Sequence, residues 1–238
     1  MDELKIILKD QEYYSFEEFA KNIYLYPDEA FTLVKSEKFM KYLYNYNQNM
    51  YNNIGEEITK PFQQDALLFK IQYILNPLME IRHHGYIFKN FSELGKKIIS
   101  YGPSTEIYLK DFLKYRLLTY YMKVTGYDVK EPLLYQKIIK LEEEFLVNEN
   151  RAYFKLGFLL EGSSSIRYGG KTFNKVDEFL SYIIKPVNIT DFASNFISSQ
   201  YLLAWLEHLG YKDEVNLFIN LVSSVEQKEK ANDNIRKI

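Results

Sequence analysis

Apolar residues recur at helical spacing along most of the chain, and the runs end at residues that cap or break a helix. The first run places its apolar side chains on one helical face and consists of Phe16, Phe19, Ala20, Ile23 and Tyr24. Ser15 and Glu18 form a capping box, in which each side chain can satisfy a free backbone N–H group near the helix start. Pro27 is expected to end this helix.

The same spacing predicts helices over most of the remaining chain. They are expected at Ala30–Leu43 (continuing to Tyr51), Ala66–Leu78, Phe91–Ser100, Ile107–Val124, Leu133–Val147, Arg151–Leu160, Val176–Ile184, Ile189–Phe196, Ser198–Leu209 and Asp213–Val225. Strands are predicted only as three short pairs: Lys5–Leu8 with Tyr13–Tyr14, Glu80–Arg82 with Tyr86–Phe88, and Ser165–Arg167 with Lys171–Phe173. The charged end, 230–238, is expected to fray.

The three strand pairs belong to an internal repeat. The stretches that begin at Ile6, Ile81 and Ile166 align without a gap over the hairpin and the start of the next helix. Each opens on an apolar residue, has an aromatic residue seven positions later, and begins its helix with the pattern apolar-x-Glu-apolar. The turns carry residues that tolerate a positive φ, and these are Gly85, Gly169 and Gly170, with Asp10 in the first copy.

The repeat predicts the architecture. A two-stranded hairpin is marginal alone in water, but its apolar face can pack on the helix that follows. We therefore expect a mainly α protein of three degenerate units, about 4–78, 79–162 and 163–229, each a short β-hairpin followed by several helices. The units would stack as a helical array within a single elongated domain, 1–238.

Composition narrows the class of protein. The 238 residues contain 10 Gly and 6 Pro, too few for a turn-rich β-sandwich. Cysteine is absent, which excludes disulfides, a thiolate nucleophile and cysteine-based metal sites. The beginning, Met1-Asp2-Glu3-Leu4-Lys5, lacks the features of a signal peptide, and Lys70 and Gln72 interrupt the most apolar stretch. A cytoplasmic protein without membrane association is the prediction.

Histidine is the rarest chemically active residue, with three in the chain. Glu80 and His83 have the i, i+3 spacing by which one helix can present two metal ligands, and His84 adjoins them. No second Glu-x-x-His motif exists, and His83-His84 falls at a predicted hairpin turn. The two histidines are therefore expected to be solvated, and no metal site or cofactor is predicted. His208 follows Glu207 near a helix end, where an imidazolium favourably meets the helix dipole.

Other catalytic motifs are incomplete. The loop Gly162-Ser163-Ser164-Ser165 is not a Gly-x-Ser-x-Gly nucleophile elbow. Gly169-Gly170-Lys171-Thr172 lacks the first glycine of a phosphate-binding loop. Tyrosine clusters could stack on nucleic-acid bases, but the formal net charge of −2 supplies no cationic field, so no nucleic-acid partner is predicted.

The remaining candidate is a binding surface. Helical arrays present long grooves, and Tyr and Trp are favoured at binding hot spots. The candidate residues are Tyr44, Tyr46, Tyr51, Tyr201 and Trp205, with an inter-helix core as the alternative for Trp205. The leading prediction is therefore a non-enzymatic interaction or scaffold module that binds another protein or peptide.

The competing prediction is a small-ligand-binding protein or enzyme with a site between repeat units near Glu80, His83 and His84, assisted by Arg82 or Arg167. The two arginines occupy equivalent repeat positions, which favours a structural pairing with a carboxylate at the hairpin base. The hairpin-plus-helices unit resembles the accessory helical segments found beside catalytic modules in large bacterial proteins. That resemblance would make the chain one part of a longer polypeptide.

Overall fold

The computed structural model describes residues 4–61, 63–102, 104–183, 200–213 and 215–216. Over these residues the protein is mainly helical, with three two-stranded antiparallel hairpins, as the sequence predicted. The predicted helix Ile189–Phe196, most of Asp213–Val225 and the tail 230–238 lie outside the described residues. None of the described helices combines the length and apolar character needed to cross a bilayer.

Six strands and thirteen helices lie in the described segments. The strands are β1 (Ile6–Leu8), β2 (Gln11–Tyr13), β3 (Ile81–His83), β4 (Tyr86–Phe88), β5 (Ile166–Tyr168) and β6 (Lys171–Phe173). The helices are α1 (Phe16–Asn22), α2 (Pro27–Val34), α3 (Glu37–Tyr46), α4 (Gln48–Thr59), α5 (Gln64–Leu75), α6 (Phe91–Ser100), α7 (Ile107–Lys114), α8 (Leu117–Thr125), α9 (Tyr127–Lys130), α10 (Pro132–Phe145), α11 (Glu149–Glu161), α12 (Val176–Ile183) and α13 (Tyr201–His208).

The three hairpins share one register, which confirms the sequence alignment at its most specific point. The opening isoleucine of each hairpin pairs with the aromatic residue that closes it, in the pairs Ile6–Tyr13, Ile81–Phe88 and Ile166–Phe173. All six of these side chains are buried. The apolar face of each hairpin is therefore built from the same cross-strand pair, which stabilises a hairpin too short to persist alone.

The first turn differs from the prediction. Gly169 and Gly170 adopt positive φ in the third hairpin, as expected, and His84 with Gly85 does so in the second. In the first hairpin, however, the residue with positive φ is Lys9, at 55°, and not Asp10. Lys9 occupies the repeat position of His84 and Gly169, so a positive φ at the first turn residue is common to all three hairpins even where the residue disfavours it, whereas at the second turn residue only Gly85 and Gly170 have it.

Side-chain hydrogen bonds cap the start of the helix that follows each of the first two hairpins. The Ser15 hydroxyl accepts a hydrogen bond from the Glu18 backbone N–H at 3.0 Å, and the Glu18 carboxylate accepts one from Tyr14 at 3.4 Å. In the second copy Asn90 and Glu93 form the same two bonds, with Lys89 as the reciprocal donor. The predicted capping box is confirmed, and the second one lies at the equivalent repeat positions.

Two predicted long helices are broken. The run Ala30–Tyr51 is divided among α2, α3 and α4, because the side chains of Ser36 and Asn47 accept backbone N–H bonds and start new helices. The run Ile107–Val124 is divided into α7 and α8 at Arg116, which has a φ of 55°. Pro27 occupies the first turn of α2, where its missing N–H costs no hydrogen bond.

The chain forms two compact units. Unit 1 comprises the described residues of Met1–Leu94 and Thr105–Glu149, and unit 2 those of Gly95–Ser104 and Asn150–Ile238. The predicted stacking of three repeat units stays a prediction.

Helix α5 is the centre of unit 1. It packs on α1, α2, α4 and α8, and it is apolar on almost every side, as a buried helix must be. Its polar residues hold the second hairpin: the Gln72 amide donates to the carbonyl of Arg82 at 2.9 Å. The Tyr73 hydroxyl donates to the carbonyl of Glu80 at 2.8 Å and accepts from the Arg82 N–H at 2.7 Å. These bonds fix the base of the strand that carries His83.

Unit 2 is centred on α13. Trp205 is fully buried, its ring lies 5.4 Å from that of Phe179, and its indole N–H donates to the carbonyl of Ser164 at 2.9 Å. Elsewhere in the unit, α6 and α11 approach closely at two glycines, because a Cβ on Gly95 would lie 2.4 Å from the backbone nitrogen of Glu161. A Cβ on Gly157 would lie 2.5 Å from the Ile98 side chain.

Candidate functional site

His83 ends strand β3 and points into the core of unit 1. It is 0% exposed and occupies the repeat position of Leu8, which is also buried. Its ring packs at about 5.5 Å from the rings of Phe69 and Phe112, which come from α5 and α7. The expectation of a solvated turn is therefore wrong for His83. The alternation of side chains along β3 turns it to the apolar face of the hairpin.

Both nitrogens of His83 face polar partners. Nε2 lies 3.1 Å from Oδ2 of Asp111, a buried residue of α7, and Nδ1 lies 3.2 Å from the hydroxyl oxygen of Tyr24. The Tyr24 hydroxyl also lies 2.8 Å from the carbonyl oxygen of Asp65, to which it can donate its single proton. When it does so, Nδ1 of His83 must be the donor toward Tyr24. In a neutral ring Nε2 then presents a lone pair to the Asp111 carboxylate, so a proton or a cation is needed between these two acceptors.

Burial controls the protonation of this pair. Desolvation lowers the pKa of His83, and the hydrogen bond and charge of Asp111 oppose that shift only in part. Burial also raises the pKa of Tyr24 well above its ordinary value, with the nearby carboxylates acting in the same direction. His83 is thus held toward its neutral imidazole form, in which one nitrogen can act as a ligand.

His84 lies beside His83 in the turn between β3 and β4, with a φ of 45°. Its ring stacks on Tyr108 at 4.1 Å. Its Nε2 atom is buried and lies 3.2 Å from Oδ2 of Asp65, yet the angle does not allow a hydrogen bond. A buried nitrogen without a hydrogen bond is costly unless something else satisfies it.

Three ligand-type side chains converge at this point. One ligand atom each from His83, His84 and Asp111 lies within 4.8 Å of the others. Two imidazoles and one carboxylate are a donor set that suits zinc and similar transition-metal ions. Asp65 and Tyr24 surround the group and supply the outer contacts that orient ligating histidines.

Sequence reasoning found the two histidines but missed Asp111. Asp111 lies 28 residues from His83 in sequence, between the buried Leu109 and Phe112 on α7. An acidic residue close to several apolar residues of a predicted helix is expected to be buried and to need a polar partner, and this was the available signal for Asp111. Nothing in the spacing of residues along the chain identifies that partner as His83.

Glu80 does not join the histidines. Its carboxylate lies at the surface and accepts from the Arg82 guanidinium at 3.3 Å, which is the structural pairing that the sequence favoured for this arginine. The Arg82 side chain also contacts the carbonyl oxygen of Lys21 at 3.4 Å. Arg167, at the equivalent position opposite Thr172, is exposed.

The candidate surface tyrosines do not form one patch. Tyr44 is 56% exposed and packs edge to face on Tyr51 at 5.3 Å. Tyr46 is 58% exposed and packs instead on Phe16 at 5.0 Å. Because residues two apart on a helix point about 200° apart, Tyr44 and Tyr46 lie on opposite sides of α3.

Tyr201 and Trp205 belong to the core of unit 2. Both are 0% exposed, and the Tyr201 ring packs at 4.8 Å from Phe154. Burying the apolar surface of this helix is favourable, and its aromatic side chains are therefore enclosed in the core. These two residues do not contribute to a binding surface in this structure. This is the inter-helix core that the sequence left as the alternative for Trp205.

Comparison of the chain with protein-family models, with curated proteins and with solved structures finds no match. The chemistry of His83, His84 and Asp111 is therefore the ground for a functional proposal.

Proposed function

We propose that this chain binds a divalent transition-metal ion, zinc foremost, through His83, His84 and Asp111. The observation that carries the proposal is the convergence of their three ligand atoms within 4.8 Å. This proposal belongs to the ligand-binding class that the sequence offered as its alternative, with Asp111 in place of Glu80.

The distance between His83 and Asp111 suits zinc. Zinc–ligand bonds of about 2.0–2.1 Å in a tetrahedron place neighbouring ligand atoms about 3.3 Å apart. The Nε2 atom of His83 and Oδ2 of Asp111 are 3.1 Å apart, so both can reach one ion with little movement. Tyr24 engages Nδ1 of His83 and fixes the ring with Nε2 toward the site.

Three protein ligands would leave a fourth position for water or another molecule. His84 stands in a turn and its side chain is 15% exposed, so solvent reaches the edge of the group there. Tyr108 stacks on the outer face of this ring and limits its movement. Binding would satisfy a histidine nitrogen, and the buried Asp111 carboxylate would gain a cationic partner.

Titration calorimetry tests the proposal. The purified chain, treated with EDTA and dialysed, is titrated with ZnCl₂ beside the variants His84→Ala and Asp111→Asn. We expect one ion per chain for the wild type and at least a tenfold loss of affinity for each variant. His208→Ala is the matched control, since it removes the histidine of unit 2 and should bind zinc as the wild type does.

Two results would overturn the proposal: no zinc binding by the wild type, or equal binding by wild type and His84→Ala. Circular dichroism of each variant shows that the fold is kept. Because His84 is in a turn and has no hydrogen bond at Nε2, His84→Ala is the variant that should disturb the fold least.

An interaction or scaffold function is the second candidate. Its support is the exposed Tyr44, held by Tyr51 on the outer side of α3 and α4. Here the three repeat units would stack in a cytoplasmic chain, and a protein or peptide would bind at this pair. Capture from the native cell by wild type and by Tyr44→Ser tests it, because a partner specific to this pair would be lost with the variant and kept with Tyr46→Ser.

A further inference from the structure

A cavity of about 380 Å³ lies in unit 1 and is built from residues other than the histidine cluster. Helix α4 forms one wall, α5 and the residues that follow it form the floor, and α8 forms the opposite wall. This volume is within the range of small-molecule sites, about 300–1,000 Å³. The packing of α5 against both α4 and α8 keeps the walls apart.

The inner surface of the cavity is largely apolar and half-buried. The apolar lining comes from all three helices: Ile74 of α5, Tyr120 and Val124 of α8, and Met50 of α4. The Tyr120 ring is held in place by the Lys70 ammonium, which lies 5.3 Å from its centroid. A flat ligand face can pack on such a surface without loss of hydrogen bonds.

The rim of the cavity on α4 carries polar side chains that are available to a ligand. Asn49 and Asn53 are one turn apart, both are exposed, and both line the cavity. Within the described part of the chain, neither side-chain amide makes a hydrogen bond, whereas Asn47 uses its oxygen to cap α4. Each free amide offers both a donor and an acceptor to a ligand.

The charges at the cavity cancel. The Glu57 carboxylate is bound by Lys60 at 2.8 Å and by Lys70 at 3.0 Å, and Glu56 is bound by Lys60 at 2.8 Å. Two carboxylates and two ammonium groups leave no net charge to attract an ion. A ligand with its own charge would have to break one of these pairs, and Glu57 with Lys70 is buried enough to make that costly.

We propose that this cavity binds a neutral, polyhydroxylated ligand, a sugar. One face of a sugar ring carries C–H groups that can pack on Tyr120 and Ile74, and its hydroxyls can both donate to and accept from Asn49 and Asn53. A wholly apolar ligand would strip water from the two amides without replacing its hydrogen bonds. None of the three proposed metal ligands lines the cavity.

Saturation-transfer NMR on the full chain tests the proposal, with D-glucose and N-acetyl-D-glucosamine as probes and acetate and ethylammonium as charged comparisons. We expect transfer to at least one sugar and to neither charged probe. Asn49→Ala and Asn53→Ala should each weaken sugar binding roughly tenfold, the effect of one lost hydrogen bond. Asn52→Ala is the matched control, because Asn52 is exposed on the same helix and does not line the cavity.

Lack of transfer to both sugars would overturn the proposal, as would equal weakening by Asn52→Ala and Asn53→Ala. Preferred binding of acetate or ethylammonium would show that the cavity selects for charge and would also overturn it. Because all three asparagines are exposed on a helix, these variants should fold. Saturation transfer to the sugars should be unchanged in His84→Ala, which separates the cavity from the histidine cluster.

Discussion

The hydroxyl oxygen of Thr119 lies 2.7 Å from Oε1 of Glu142, inside unit 1. The same hydroxyl lies 3.1 Å from the carbonyl oxygen of Arg116, and its single proton cannot serve both acceptors. A protonated Glu142 removes the conflict, since it donates to Thr119 while Thr119 donates to Arg116. Glu142 is 4% exposed, and burial raises the pKa of its carboxyl to about 7 from an ordinary value of 4.5.

Because of Glu142, the free energy of unfolding is therefore expected to fall as the pH rises. The pKa is raised in the folded state, so its contribution is fully present below pH 4.5 and is lost as the pH rises through 7. The loss is about 3 kcal/mol when complete. Glu142→Gln, which stays neutral, should be close to the wild type at pH 4.5 and more stable than it at pH 8.5. Urea unfolding at the two pH values measures this difference.

Glu143→Gln is the control for that prediction, because Glu143 is the exposed neighbour of Glu142 on α10. It should show the pH dependence of the wild type. An equal response of the two variants would mean that the pKa of the Glu142 carboxyl is not raised in the folded protein.

The close approach at Gly95 predicts a destabilised variant. In Gly95→Ala the new Cβ would lie 2.4 Å from the backbone nitrogen of Glu161 and 2.8 Å from the carbonyl oxygen of Gly157. Backbone cannot move aside as a side chain can, so we expect a loss of about 1–3 kcal/mol in the free energy of unfolding. Thermal unfolding followed by circular dichroism measures it.

Gly55 provides the comparison, because a side chain there has room and should stabilise the protein. It lies inside α4, and a Cβ there would meet only the end of the Met40 side chain, at 3.8 Å. Gly55→Ala should therefore stabilise the protein by about 0.5–1 kcal/mol, the cost of glycine in a helix interior. A melting temperature lowered by Gly55→Ala as much as by Gly95→Ala would contradict the distinction between the two sites.

The first hairpin turn predicts a stabilising substitution. Lys9 has a φ of 55°, a conformation that costs a residue with a Cβ about 1–2 kcal/mol and glycine almost nothing. Its ammonium lies 4.6 Å from the Tyr26 ring centroid, and loss of that contact offsets part of the gain. Lys9→Gly should raise the free energy of unfolding, whereas Asp10→Gly should not, and the same urea titration compares them.

The single tryptophan should report on the core of unit 2. Trp205 is 0% exposed, so its native fluorescence should be blue-shifted and resist quenching by acrylamide, and both properties should be lost on unfolding. Strong quenching in the native protein would contradict this burial and would show that Trp205 lies on an accessible surface.

The hairpins were predictable because their signals are local. An isoleucine paired with an aromatic residue seven positions later is visible in the sequence, and the pairing Ile81–Phe88 confirms it. The break between α7 and α8 was not predictable in this way. The left-handed backbone at Arg116 has no sequence signal, since neither glycine nor asparagine stands there.

The candidate site was only partly predictable, because some of its signals are local in the sequence and others are not. His83 and His84 are conspicuous because histidine is rare in this chain. Their partner Asp111 depends on how α7 packs against the second hairpin, and that contact joins residues far apart in sequence. Chain periodicity reports which face of a helix is buried, but it does not report what the buried face meets.

The shared register of the hairpins has a consequence for how this protein can change. The closing pair of each hairpin holds the two strands together, and the residues at the tip differ between copies: Lys9 and Asp10 in one copy, two glycines in another. In the middle copy the tip holds His84 and Gly85, next to His83. A change at His84 would therefore alter the proposed metal site without touching the Ile81–Phe88 pair that holds this hairpin together.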